Sequence, residues 1–97
     1  MIRKSKEIIK LIKLVNTIFG NSGLEVCDNW ASDSNAIGFY KNNQLIYIAF
    51  YNKDDYFYEC DLITGDPDQP YLIQESNNTT KQQLIKIMSK FFAIEPK

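Results

Sequence analysis

The sequence predicts an α+β domain: an N-terminal helix, an antiparallel meander of four or five strands, and a C-terminal helix. Three observations predict it. Apolar residues recur at three- and four-residue spacing near both ends of the chain. Between those ends they alternate at two-residue spacing. The connections inside the central part are short, which favours antiparallel neighbours over crossovers. The 97 residues, 44% hydrophobic and 24% charged, suit one globular domain spanning 1–97.

Each element has its own justification. In the first helix Ile8, Leu11, Ile12, Val15, Ile18 and Phe19 form the apolar stripe, with Lys6, Lys10 and Lys13 off it. Gly20, followed by Asn21-Ser22-Gly23, ends it. Residues 24–29 make a weak first strand. Residues 35–41 and 44–51 flank Asn42-Asn43, a two-residue turn whose asparagines tolerate positive φ. The 44–51 run is apolar on both faces and reads as the central strand. A tight Asn52-Lys53-Asp54-Asp55 connection leads into 56–63. Gly65-Asp66-Pro67-Asp68-Gln69-Pro70 reads as a loop, because its glycine and two prolines forbid a central strand. A short strand over 71–75 follows. Thr79 and Gln82 have the spacing of a capping box. Leu84, Ile85, Met88, Phe91 and Phe92 then form the second apolar stripe, with Pro96 beyond its end.

Charge is unevenly placed. Residues 1–19 carry five bases and one acid, residues 20–76 two bases and ten acids, and residues 77–97 four bases and one acid. The ends are basic and the middle strongly acidic. The stretch 51–72 holds Asp54, Asp55, Glu59, Asp61, Asp66 and Asp68 against Lys53 alone, interleaved with Tyr51, Tyr56, Phe57, Tyr58 and Tyr71. Strand alternation places Tyr56, Tyr58, Cys60 and Leu62 on a face toward the helices. Phe57, Glu59, Asp61 and Ile63 fall on the other face, expected to be wet and acidic.

The composition excludes several classes. There is no histidine, which removes the usual general base near neutral pH, Ser-His and Cys-His nucleophiles, and His-based metal sites. No enzyme, no cofactor and no metal site is expected. Asp66 and Asp68 around Pro67 suit a rigid turn before a metal, and Asp54-Asp55 suits turn chemistry before catalysis. Gly20 and Gly23 form no phosphate loop. Cys27 and Cys60 match no zinc spacing and read as small hydrophobes, bridged only if their strands are neighbours. Trp30 reads as core. The basic, apolar start is interrupted by lysines and a glutamate, so it reads as a helix rather than a secretory leader. No run reaches the ~18 apolar residues a membrane span needs. A cytoplasmic location is expected.

An acidic run is usually a solvated surface that discourages edge-to-edge aggregation. Ten acids against two bases also cost self-repulsion that mixed signs would avoid. Capture of a basic protein explains the excess: charges speed encounter and aromatics supply desolvated anchors. The expected partner-binding residues are Asp54, Asp55, Phe57, Glu59, Asp61, Asp66, Asp68 and Tyr71. The negative sign argues against direct nucleic-acid binding.

In size, acidic middle, helix–meander–helix order and lack of catalytic residues, the chain resembles the small immunity proteins of bacterial polymorphic-toxin systems, such as contact-dependent growth inhibition. The resemblance implies binding and neutralising a cognate toxin, often a nuclease. A phage- or plasmid-encoded nuclease inhibitor shares the composition and is separated by gene neighbourhood. An acidic secretion chaperone is separated by its dimeric state.

Overall fold

The computed structural model describes residues 4–28, 33–63 and 71–96, and for Tyr71 the backbone alone. Two helices and five strands follow in the order α1 (Lys6–Phe19), β1 (Glu25–Cys27), β2 (Ala36–Lys41), β3 (Gln44–Asn52), β4 (Asp55–Leu62), β5 (Tyr71–Thr79) and α2 (Lys81–Phe92). The strands form one antiparallel sheet in the order β1-β2-β3-β4-β5. The chain is therefore the α+β meander between two helices that its periodicity predicts. Among the described residues no helix is long and apolar enough to cross a membrane.

Helix α1 starts where Ser5 accepts a hydrogen bond from the Ile8 N–H through its side chain, and it closes at Gly20. Its start is tied to the β1–β2 connection. The Lys4 ammonium donates to the carbonyls of Asp33 and Ala36 at 2.8 and 2.7 Å and pairs with Asp28 at 2.8 Å. The predicted Asn42-Asn43 turn is present, with φ of 52° and 64°. Both central residues are left-handed, the geometry that matches the twist of paired strands.

Helix α2 departs from the expectation by one residue. Its capping box is Thr80 with Gln83, not Thr79 with Gln82. The reason lies in β5, which runs on to Thr79 instead of ending near Glu75. Thr79 pairs with Tyr56 and is buried, so Thr80 is left to cap the helix.

Both helices pack on one face of the sheet. Ile8, Leu11, Val15 and Phe19 of α1 and Leu84, Met88 and Phe92 of α2 join a core with Ile37, Phe39, Ile46, Ile48, Tyr56, Tyr58 and Cys60. The alternation on β4 is as expected: Tyr56, Tyr58 and Cys60 face the helices and are almost fully buried. At roughly 25 cal/mol per Å² of apolar surface, burial of these side chains is the main stabilising contribution. β3 lies third of five strands, as its two apolar faces required.

The cysteines sit on strands separated by β2 and β3 and on opposite faces, since Cys27 pairs with Gly38 and Cys60 with Ile46. Both are free. The glycine-proline loop and Trp30 lie outside the described residues.

Candidate functional site

The site is built on the face of the sheet away from the helices. The register Gly38↔Tyr47, Tyr47↔Glu59 and Glu59↔Glu75 lays Tyr47, Glu59 and Glu75 in one row across β3, β4 and β5. In the next row Leu45 faces Asp61, and Asp61 faces Leu72. Three carboxylates thus share one patch: Glu59 and Asp61 two residues apart on β4, and Glu75 directly across from Glu59. Directly opposed like charges on neighbouring strands repel. Among the described residues, no lysine or arginine forms an ion pair with any of the three.

The patch is less wet than alternation suggested. Asp61 is only 3% exposed and Glu59 is half-buried. Burial lifts the Glu59 carboxyl above its ordinary pKa, and its hydrogen bond to Asp61 and the charge of Asp61 lift it further. The expectation of a solvated acidic face is therefore corrected at Asp61. Leu45 and Ala49 on this same face are also buried, so the patch is not bare sheet.

Aromatic side chains flank the carboxylates. Tyr47 and Phe57 meet edge to face, with ring centroids 6.0 Å apart and planes at 61°. Burial raises the Tyr47 hydroxyl pKa, as do the negative charges of Asp33 and Glu59. Tyr51, at 61% exposure, extends the aromatic group toward the end of β3. The interleaved tyrosines of β4 do not belong here. Tyr56 and Tyr58 point to the helices, where the Tyr58 hydroxyl accepts from the Gln74 side-chain amide. What reads in sequence as one acidic, tyrosine-rich stretch separates into an acidic face and an aromatic core face.

The other predicted residues have different settings. Asp54 is exposed, and its carboxylate accepts a 2.8 Å hydrogen bond from the Lys81 N–H at the start of α2. Asp55 opens β4 opposite Asn52, and one of its carboxylate oxygens is buried without a partner among the described residues. Asp66 and Asp68 lie outside the described residues. Tyr71 opens β5 opposite Leu62. Glu75 was missed by sequence reasoning. Plain alternation from Tyr71 places residue 75 on the helix side. The extra residue Ile73, between the Cys60↔Gln74 and Asp61↔Leu72 pairs, reverses the parity and turns Glu75 toward Glu59.

Chemically, Glu59 and Glu75 offer carboxylate acceptors to cationic groups at the surface, while Asp61 is buried beside them. Among the described residues no set of three or more acids and cysteines can hold a metal ion. No family model matches the chain, and neither the curated proteins nor the solved structures compared with it include a match.

Proposed function

We propose that the chain is an immunity-type inhibitor that binds and neutralises a basic toxin, a nuclease in the first instance, in the cytoplasm of the cell that makes it. One observation carries the reading: Glu59, Asp61 and Glu75 are gathered on one sheet face, and no lysine or arginine of the described residues forms an ion pair with them. Such a cluster is costly in the free protein and favourable once lysines or arginines of a partner reach Glu59 and Glu75, with the buried Asp61 adding its charge from beneath. Tyr47 and Phe57 beside it supply rigid apolar area at low entropic cost. Blocking a nuclease through the surface that holds its nucleic acid fits an acidic face, because that surface carries the positive charge.

The test is affinity capture of the tagged chain from its native cells, with the captured protein identified by mass spectrometry and assayed for toxicity. The reading predicts a basic protein, bound in fixed stoichiometry and inactivated by the chain. Capture of an acidic protein, or of a basic one still fully active in the complex, contradicts it.

A further inference from the structure

The helix layer carries charge of the opposite sign. Lys6, Lys10, Lys13, Lys86 and Lys90 are exposed, Lys81 is half-exposed, and Glu7 is the one acid within the two helices. Between α1 and α2 lies a groove of about 530 Å³, within the roughly 300–1,000 Å³ typical of small-molecule sites. Its apolar part comes from both helices. Leu14 and Ile18, one turn apart, form a flank of α1 beside the Ile8, Leu11 and Val15 stripe, and Ile85 faces them from α2. Ile18 and Ile85 rest on the rim of the core, and all three are half-buried, which leaves apolar area unpartnered. Its polar part comes from Lys81 and Lys86, with Gln82. Asp54 also lines the groove, but one of its oxygens is already engaged by the Lys81 N–H.

The cavities beside β5, of about 360 and 340 Å³, differ in kind. Ser76, Asn77, Asn78 and Gln83 give the first a polar wall, and neither is lined by aliphatic groups from two helices.

We propose that the α1–α2 groove binds a small amphiphilic anion, with an unbranched apolar chain over Leu14, Ile18 and Ile85 and a carboxylate or phosphate head held by Lys81 and Lys86. Burying the chain removes the exposed aliphatic flank from water. The two ammonium groups outnumber the single carboxylate of the lining, and the surrounding lysines draw anions to the groove. The site lies on the opposite side of the sheet from Glu59 and Glu75, so it stands apart from the proposal for the acidic face.

The experiment is calorimetric and NMR titration with dodecanoate and with dodecyl phosphate, each below its critical micelle concentration. Dodecyltrimethylammonium and octyl glucoside serve as cationic and neutral controls. Both anions should bind saturably at one site and shift the methyl signals of Leu14, Ile18 and Ile85, and the controls should bind at least about tenfold more weakly. Lys86→Glu, at an exposed position, should melt as wild type does and weaken both anions by about tenfold. Equal binding of the cationic probe, shifts centred on the cavities beside β5, or unchanged affinity in Lys86→Glu overturns the proposal. Adsorption to phosphatidylglycerol vesicles without saturable binding of monomeric anions also overturns it, in favour of a membrane-surface role.

Discussion

The carboxylate of Asp54 accepts a 2.8 Å hydrogen bond from the backbone N–H of Lys81, joining the β3–β4 turn to the first residue of α2. The first four N–H groups of a helix have no partner within it, and its N-terminus favours negative charge. Thr80 satisfies the Gln83 N–H, and Asp54, supplied from elsewhere in the chain, satisfies Lys81.

Asp54→Ala should therefore destabilise the fold by about 1 kcal/mol, lowering Tm by about 4–8 °C for a domain of this size. Thermal melts followed by circular dichroism measure it. An unchanged Tm would return Asp54 to the free surface charges. Charge reversal at 54 and 55 consequently reports on folding as well as on binding, and is a poor probe of partner contact.

Glu59→Gln should have the opposite sign. A carboxyl held above its ordinary pKa takes up its proton more readily in the folded state. The stability it contributes is fully present below the unfolded value, ~4.3. It is lost as pH rises through the folded value. Glutamine cannot ionise, so the variant should gain about 0.5–1 kcal/mol near pH 7, or ~2–8 °C in Tm. The gain should vanish toward pH 4. A variant no more stable than wild type at pH 7 would mean that the carboxylates are well solvated and that their grouping carries no cost.

The thiols should behave unequally. Burial pushes the Cys60 thiol up to about 12, helped by the charges of Asp61 and Glu59, and the side chain is 1% exposed. Cys27 is half-exposed on the other face of the sheet. An aromatic disulfide reagent should titrate one thiol in the native protein and two after denaturation. Mild oxidation should produce no intramolecular bridge. Two fast thiols, or an internal bridge formed without unfolding, would contradict the placement of β1 and β4.

The helices, the Asn42-Asn43 turn and the burial of β4 were legible because each depends on local periodicity or on the φ preference of one residue type. Leu11 and Val15 could face only the sheet, and Tyr56, Tyr58 and Cys60 had to share a face. The end of the sheet was not legible in the same way. Ile73 adds a residue to β5 opposite β4, and a second irregularity falls between the Tyr58↔Ser76 and Tyr56↔Thr79 pairs. Asn78 there has φ of 55°. Bulges are settled by pairing with a distant strand and leave no periodic trace. They moved the helix cap from Thr79 to Thr80 and brought Glu75 beside Glu59. The role of Asp54 was hidden for a related reason, since its partner Lys81 is 27 residues away along the chain.

The acidic face itself is tested most directly by partner affinity. The measurement is the dissociation constant of the captured partner at low and high salt, for wild type and for Glu59→Lys/Glu75→Lys. Glu75 is exposed and Glu59 half-buried, and the exchange ends their mutual repulsion only by replacing it with another like pair, so folding should be close to wild type. The account predicts a loss of roughly 2–5 kcal/mol at low salt, some thirtyfold to several thousandfold in affinity, with a shallower salt dependence than wild type. Wild-type affinity in the folded variant at both salt concentrations would contradict it and leave Glu59 and Glu75 without a part in partner binding.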